Sequence, residues 1–221
     1  MKLVCLGAKN PHTIKIINRI REVDNDFNFL GFIDNDKSKW GKKFYSYPIF
    51  GGTDKVKELS EKGAYFCNLI TGDTVTRYET TIALLKQGAK LTNLIHPNID
   101  LDMVKIGVGN YFQEFVDLQA EVTIGDNSSI HIGSFIGHET TIGNSVFLAH
   151  GCNVSGEVTI QDGVYFGTGV IVLPRITIGK WSIIGAGSVI IEDVPPYSIV
   201  VGNPGRIIKN TEKKYVSGEV L

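Results

Sequence analysis

The sequence predicts a two-part fold, an α/β domain followed by a parallel β-solenoid built from hexapeptide repeats. Residues 1 to about 95 alternate strand and helix patterns, which is typical of a small domain with a parallel sheet. From Ile106 to Ile190 every sixth residue is apolar, fifteen positions in succession. Because neither a helix nor a plain strand repeats every six residues, each repeat is interpreted as a short strand and a turn, with three repeats to one triangular coil.

The first half contains four predicted strands and two predicted helices. The strands are expected at residues 2–6, 27–33, 64–70 and 91–95, and the helices at residues 13–23 and 74–87. Ligands of such sheets bind at the carboxyl ends of the strands, which here lie near Gly7, Asp34 and Gly72.

The repeat half has a regular interior. The residue two positions before each large apolar residue is Val, Ile, Ser, Thr or Cys, except at Asn110. Glycine follows the large residue in seven of the fifteen repeats, which is interpreted as easing the turn. No residue is inserted or lost, so the run of about 84 residues predicts between four and five coils without a protruding loop.

The composition excludes several classes of function. The chain has 22 basic and 23 acidic residues, a net charge of −1, so no overall field favours nucleic acid or an anionic membrane. The apolar runs are too short for a membrane span, and the first residues lack the features of a signal peptide, so a cytoplasmic protein is expected. The three cysteines show no CxxC spacing and lie in apolar runs, which favours buried thiols over a disulfide or a zinc site.

Two adjacent turn residues, His138 and Glu139, stand out in the stretch "SFIGHETTIGNSVFLAHGCNVSG". Acyl transfer from a thioester to an amine or hydroxyl group needs a base, and imidazole suits that role at neutral pH. A neighbouring carboxylate raises the basicity of the ring and fixes its tautomer. From the residues alone, the alternative is a turn histidine with an exposed ring.

A second histidine, His150, occupies the same turn slot two repeats later. Steps of 18 residues join it to Thr168 and Ala186, so a shallow furrow is expected along one edge of the prism. His150 either lies near a bound thioester or caps a corner of the coil. His131 is one step off this slot and is expected to be structural.

Nearly the whole chain, from residue 2 to about 209, resembles the hexapeptide-repeat nucleotide-sugar acetyltransferases of the PglD/NeuD type. The segments that carry the resemblance are "LVCLGA", "FLGFIDND", "YPIFGGTD", "ITGDTVTRYE", "LIHPN", "IGHETTIG" and "VPPYSIVVGNPGRII". It implies a Rossmann-like nucleotide-sugar-binding domain over residues 1–96, a left-handed parallel β-helix acyltransferase domain over residues 97–209 and a C-terminal tail over residues 210–221.

The resemblance also implies a function. It predicts acetyl-CoA-dependent N-acetylation of the amino group of a UDP- or GDP-linked amino sugar, by direct transfer, with His138 as general base and Glu139 as its partner. The product would serve the biosynthesis of bacterial glycoproteins or of surface glycans such as lipopolysaccharide or capsule. The enzyme is expected to be a homotrimer with active sites at the subunit interfaces, and to need no metal.

The expected binding residues form two sets. The coenzyme-binding residues are expected to be Phe147, His150, Gly167, Thr168, Gly185, Ala186 and Arg206. The substrate-binding residues are expected to be Gly7, Lys9, Asn10, Pro11, Asp34, Asn35, Gly72 and Asp73. The loop after the first strand departs from both patterns weighed for it, because Lys9 and His12 replace dinucleotide-fingerprint glycines, and Asn10 and Pro11 replace the Gly-His of the family.

Three alternatives follow from the same residues. One is an O-acetyltransferase acting on a sialic acid or another sugar hydroxyl. The second is a metal-dependent hydratase, for which the histidine spacings of 7 and 12 lack the required His-x4-His pair. The third is a non-catalytic binding solenoid, which leaves the His-Glu pair unexplained.

Overall fold

A computed structural model describes residues 1–210 of the chain. The first half consists of β1 (Lys2–Leu6), α1 (His12–Val23), β2 (Asn28–Ile33), β3 (Lys43–Phe44), β4 (Tyr47–Pro48), α2 (Val56–Glu61), β5 (Ala64–Asn68), α3 (Thr74–Lys86) and β6 (Lys90–Leu91), with 3₁₀ turns at Lys37–Lys39 and Thr53–Lys55. Of the predicted tail, residues 211–221 lie outside the described residues.

The first half is built on a parallel sheet with the strand order β2-β1-β5-β6. Alternate residues of β1 point to opposite faces, as a strand requires. Leu3 and Cys5 pack in a cluster with Ile16 of α1, whereas Val4 packs in a second cluster with Leu84 of α3. The sheet is therefore covered by helices on both faces, which confirms the predicted α/β architecture.

The second half is a parallel β-solenoid with three faces. Face A contains Leu94–Ile95, Tyr111–Phe112, Ser129–Ile130, Phe147–Leu148, Tyr165–Phe166, Ile183–Ile184 and Ser198–Val201, with Arg206–Asn210 antiparallel at its end. Face B contains Asp117–Leu118, Phe135–Ile136, Asn153–Val154, Ile171–Val172 and Val189–Ile190. Face C contains Lys105–Ile106, Thr123–Ile124, Thr141–Ile142, Thr159–Ile160 and Thr177–Ile178.

Each coil takes 18 residues, so the hexapeptide prediction is confirmed. Strands pair in register with the strand 18 residues later, as Thr141 does with Thr159. The large residues at the six-residue period point inward, and those from Phe112 to Ile190 are at most 8% exposed. The fifteen strands from 105–106 to 189–190 make five coils, so the prediction of fewer than five was too low.

One predicted strand is wrong. Residues 91–95 do not form a single strand, because Lys90–Leu91 closes the N-terminal sheet while Leu94–Ile95 pairs with Tyr111–Phe112 in face A. Face A therefore begins before residue 97. The hairpin β3–β4 and the short helix α2 were not predicted, whereas the other elements end within two residues of their predicted positions.

The glycines after the large residues have a different role from the one predicted. The turns after the large residues from Ile106 to Ile184 are made by the residue three positions further on. That residue adopts a left-handed conformation even when it is not glycine, as Glu139 does with φ 57°. Gly167, by contrast, has no positive φ, and a Cβ atom there would lie 2.5 Å from the main-chain nitrogen of Ala186. These glycines allow successive coils to stack closely.

A buried carboxylate joins the two halves of the chain. Glu114, at the corner between faces A and B, accepts hydrogen bonds from His12 Nε2 at 2.5 Å and from Lys15 Nζ at 2.8 Å, both on α1. Burial by itself raises the pKa of Glu114, but hydrogen bonds, led by that from Lys15, outweigh it and lower the pKa to about 2. The ionised carboxylate thus stabilises the packing of α1 on the solenoid.

Acid is expected to weaken the contact between α1 and the solenoid. Because the folded-state pKa of Glu114 lies below the value of roughly 4.3 for an unfolded chain, its contribution is complete above that pH and is lost as the pH falls toward 2. The Glu114→Gln variant is expected to unfold more easily at pH 7 and to lose less stability between pH 5 and pH 3 than the wild type. Urea unfolding across that range measures both effects, and parallel pH curves for the two proteins would contradict this assignment.

Candidate active site

The pair His138 and Glu139 lies at the corner between faces B and C, in the second coil. The distance from His138 Nδ1 to Glu139 Oε2 is 2.9 Å, and both side chains are about half exposed. Because the carboxylate accepts, Nδ1 is the donating nitrogen, and in the neutral ring Nε2 is free to accept a proton. The pair has the arrangement of an oriented general base.

The main chain around His138 is fixed by the neighbouring coils. Its N–H group donates to Gln119 Oε1 at 3.0 Å, and its carbonyl oxygen accepts from the N–H group of Glu157 at 2.8 Å. The ring lies over Gly156, one coil further on, where an added Cβ would come within 2.6 Å of His138 Nε2. Glycine at 156 therefore provides the space in which the imidazole rests.

The Gly156→Ala variant is expected to displace the imidazole of His138. Gly156 has no positive φ, so its backbone tolerates alanine, and the added methyl group forces the exposed ring to move. Misplacement of a reacting group by about 1 Å costs up to about 10²-fold in rate. Steady-state kinetics should show the loss in kcat with an unchanged melting temperature, and Ser155→Ala is the matched control. Full activity in Gly156→Ala would contradict the ring position described here.

The predicted furrow lies at the corner between faces A and B. His150, Thr168 and Ala186 stand one above another and are exposed. Among the described residues, no acceptor bonds the main-chain N–H groups of Thr168 and Ala186. The next residue in each of these turns is a left-handed glycine with open space where a Cβ would stand, at Gly151, Gly169 and Gly187. The corner is thus a track of glycine-rich backbone next to Gly167 and Gly185, with unpaired N–H groups at Thr168 and Ala186.

Two of the expected coenzyme-binding residues lie outside this track. Phe147 is buried on face A, with its ring stacked on Tyr165 at a centroid distance of 4.9 Å. Arg206 is exposed at the C-terminal end of the solenoid, where its Nη1 atom lies 4.0 Å from Glu192 Oε1. Glu192 belongs to the same corner column as His138, so within one chain Arg206 is on the side of the base.

Seven of the eight expected substrate-binding residues line one cavity of about 570 Å³ at the carboxyl ends of β1, β2 and β5. They are Gly7, Lys9, Asn10, Pro11, Asp34, Asn35 and Gly72. This is the edge of the sheet predicted to bind a ligand. Lys39 also lines the cavity and was missed, because its position depends on the 3₁₀ turn that the sequence did not predict.

The two expected aspartates have clear structural partners. The Asp34 side chain accepts hydrogen bonds from Ala8 N and Asp36 N, each at 2.9 Å, and from Lys39 Nζ at 2.8 Å. It therefore holds the loop after β1 against the loop after β2. Asp73 lines a neighbouring cavity instead of this one, and it caps α3, because its Oδ1 atom accepts from Thr76 N at 2.7 Å.

A second cavity, of about 240 Å³, adjoins the first at Gly72. Its walls are mostly apolar and include Tyr165, Trp181 and Ile183 of the solenoid and Thr74 of α3. Sequence reasoning missed these residues, although Tyr165 and Ile183 follow Phe147 at steps of 18 and could have been found as one outward column of face A. They line the space between the sheet and the solenoid.

The second half is thus a five-coil hexapeptide solenoid with a carboxylate-held histidine at one corner, the arrangement expected above of the hexapeptide-repeat acyltransferases. In agreement, residues 157–192 match the family described as bacterial transferase hexapeptide (six repeats). No curated protein matches the chain significantly.

Several solved structures are similar over almost the full chain. PerB from Caulobacter crescentus, in complex with CoA and GDP-perosamine, is 26% identical, with 95% of this chain and 98% of that chain covered and a TM-score of 0.82. WeeI from Acinetobacter baumannii is 25% identical, with 94% and 100% covered and a TM-score of 0.77. The acetyltransferase domain of PglB from Neisseria gonorrhoeae shares the fold at 24% identity, with 94% and 99% covered and a TM-score of 0.82.

These matches confirm the predicted resemblance to the hexapeptide-repeat nucleotide-sugar acetyltransferases, and the chain is an acyltransferase of this structural class. No helix within residues 1–210 is both long enough and apolar enough to cross a membrane. Over the same residues, no three His, Cys, Asp or Glu side chains gather as a metal site would require.

Proposed function

We propose that the protein is an acetyl-CoA-dependent N-acetyltransferase that acts on the amino group of a nucleotide-linked amino sugar, with His138 as the general base. The observation that carries the proposal is the His138–Glu139 pair, whose Nε2 atom is free at the corner of the solenoid. The proposal includes a left-handed solenoid and a Rossmann-like N-terminal domain that binds the nucleotide. PerB, which is similar over nearly its whole length, holds CoA and GDP-perosamine.

The residues support a direct transfer. The amine nitrogen attacks the thioester carbonyl while His138 Nε2 takes its proton, and Glu139 stabilises the imidazolium that forms. The C–N bond forms, the C–S bond breaks, and the CoA thiolate receives the proton as it leaves. Unpaired main-chain N–H groups of the track suit both the pantetheine carbonyls and the oxyanion of the tetrahedral intermediate.

A complete site needs a second copy of the chain. His138 and the track lie at different corners of one prism, separated by face B. One side of the prism takes six residues, so the two corners are roughly 15–20 Å apart. A thioester bound along the track is therefore out of reach of His138 in the same chain, which supports an oligomer with active sites between subunits.

A trimer brings the two corners together at similar levels along the solenoid axis. A three-fold axis parallel to the solenoid keeps each residue at its own level, and His138 in the second coil lies one coil from His150 in the third. Face B and the corner that follows it support such contact, because Ile171 on the face is 40% exposed, and Leu173 and Ile191, directly after its strands, are 42% and 47% exposed. Arg206, on the side of His138, would reach the coenzyme from the neighbouring subunit.

The charges near His138 favour an amino group over a carboxylate at this corner. Glu121 and Glu157 occupy the same turn position as Glu139 in the preceding and following coils, at a spacing of about 4.8 Å. Arg175 neutralises part of this charge through its Nε atom, 3.2 Å from Glu157 Oε1. An ammonium group is attracted to this corner before it loses its proton, whereas the carboxylate of a sialic acid is repelled.

The experiment that tests the proposal is thiol release from acetyl-CoA with a panel of acceptors. The panel contains UDP-, GDP- and dTDP-linked 4-amino sugars, their 4-hydroxy counterparts and free sialic acid. We expect turnover with one or more amino sugars and none with the hydroxy counterparts. Turnover of sialic acid alone would replace the proposal with the O-acetyltransferase alternative, and acetyl-CoA binding without turnover of any acceptor would contradict the assigned substrate class.

A further inference from the structure

His131 is a buried histidine with an unsatisfied ring nitrogen. It is 4% exposed, on the outward side of face A, and its Nε2 atom lies 3.1 Å from Ser129 Oγ. Within residues 1–210, its Nδ1 atom is the buried side-chain nitrogen or oxygen atom that lacks a hydrogen-bond partner. A buried polar atom without a partner costs about 1–3 kcal/mol, so such an atom calls for a specific explanation.

Three rings surround His131, and one of them offers a free polar edge. Tyr111 lies edge-on at a centroid distance of 5.9 Å, and its hydroxyl group is within hydrogen-bonding distance of Thr13 and Gln113. Phe147 lies at 4.7 Å and has no polar atom. His150 lies edge-on at 5.1 Å, with 73° between the ring planes, and is exposed at the corner. Of the three rings, His150 is therefore the one that can offer a free ring nitrogen to Nδ1.

His131 keeps one charge state across the neutral range. Burial, with smaller contributions from the nearby His150, Arg77 and His12, lowers its pKa to about 3. A neutral imidazole has one donating and one accepting nitrogen, so a hydrogen bond to Nδ1 would select a single tautomer of its partner.

The position of His150 in the track would give a hydrogen bond from His131 a function. In the two preceding coils, the positions equivalent to His150 are held by Ile132 and Glu114. Glu114 is buried beneath α1 and hydrogen-bonded to His12 and Lys15. The track is therefore closed at His150 and open at Ala186. An extended pantetheine arm bound along the track from its open end would bring its thioester toward His150.

We propose that His131 is a positioning residue, which holds the His150 ring through a hydrogen bond at Nδ1 so that His150 faces the thioester of acetyl-CoA. The inference rests on the proposed function, because it gives the track its ligand. It assigns His150 to the closed end of the track as a donor or acceptor toward the acetyl group. His131 itself touches neither substrate.

The first test uses the free wild-type protein, so it does not depend on the acceptor. With ¹⁵N-labelled histidine, we expect a scalar coupling across the hydrogen bond between Nδ1 of His131 and a ring nitrogen of His150, and a single tautomer for His150. Absence of that coupling, with His150 averaging between tautomers, would overturn the proposal. If the coupling is present and the acceptor panel fails, only the proposed function falls.

Variants test the effect on catalysis. His131→Phe keeps the ring packing and removes Nδ1, and we expect kcat to fall about tenfold while KM for the nucleotide sugar is unchanged. His131→Asn, which retains a polar group, should recover part of the loss, and His131→Phe should add nothing in a His150→Ala background. If kcat stays at the wild-type value in His131→Phe with an unchanged melting temperature, or if the losses of the two variants add fully, the positioning role is wrong.

Discussion

Replacing His138 with alanine is expected to lower kcat for acetyl transfer by roughly 10²–10⁴-fold. The reason is that no other described side chain at the corner between faces B and C combines a free ring nitrogen with a bonded carboxylate. The melting temperature and the dissociation constants for acetyl-CoA and nucleotide sugar should remain close to those of the wild type, because the ring is exposed and its removal opens no internal cavity. Steady-state kinetics, calorimetry and equilibrium binding measure the three quantities.

Two further variants sharpen this prediction. Glu139→Gln keeps an oxygen that can accept from Nδ1 but loses the charge that stabilises the imidazolium, so an intermediate loss of about tenfold is expected. Thr141→Ala, at an exposed position on the next strand, is the control and should keep the wild-type rate. If His138→Ala retains most of the wild-type kcat, the base lies elsewhere and the assignment of this corner is wrong.

Replacing Arg77 is expected to give the largest loss of stability. Its guanidinium is fully buried between α3 and the solenoid, with Nε donating to Asn127 O at 2.5 Å and Nη1 donating to Ile70 O at 3.1 Å. Burial lowers its pKa to about 10, so the group is still charged at pH 7. Arg77→Met leaves these main-chain carbonyls without donors, and a reduction of roughly 3–5 kcal/mol in the free energy of unfolding is expected.

Urea unfolding at pH 7 measures the effect of Arg77→Met. We also expect weaker nucleotide-sugar binding, because α3 begins beside Gly72 at the predicted substrate cavity. Arg19→Ala is the matched control, since that arginine is on the exposed face of α1 and pairs with Glu22 within the same helix. Equal stability of Arg77→Met and Arg19→Ala would show that the buried guanidinium does not hold the two halves together.

The solenoid is predictable because its fold follows from a strict period. Every inward residue from Ile106 to Ile190 is fixed by stepping six positions, and the corner columns follow by stepping 18. The columns that contain His138 and His150 can therefore be located correctly from the sequence alone. The role of the glycines cannot, since φ values and the distance between coils are three-dimensional quantities that the period does not express.

The N-terminal half and the contacts that join it to the solenoid are less predictable for identifiable reasons. Residues 91–95 are short enough to form one strand, and only the pairing partners show that Leu91 and Leu94 belong to different sheets. The contacts of Glu114 with α1 and of Arg77 with Asn127 join residues about 100 and 50 positions apart, for which a single sequence carries no signal. His131 was expected to be structural, and its orphaned nitrogen becomes visible only once its neighbours are placed.

We expect the base of one subunit to work on a thioester held by its neighbour in a trimer, and a mixing experiment tests this expectation directly. His138→Ala subunits lack the base, and Ala186→Trp subunits have a blocked track, so each homotrimer should be inactive. In equal mixtures, about a quarter of the interfaces pair an intact base with an intact track, and thiol release should recover to about that fraction of the wild-type rate. A mixture of Ala186→Trp with Thr168→Trp, both blocked in the track, should stay inactive. If native mass spectrometry shows mixed trimers and activity does not recover, the base and the thioester do not meet across a subunit interface.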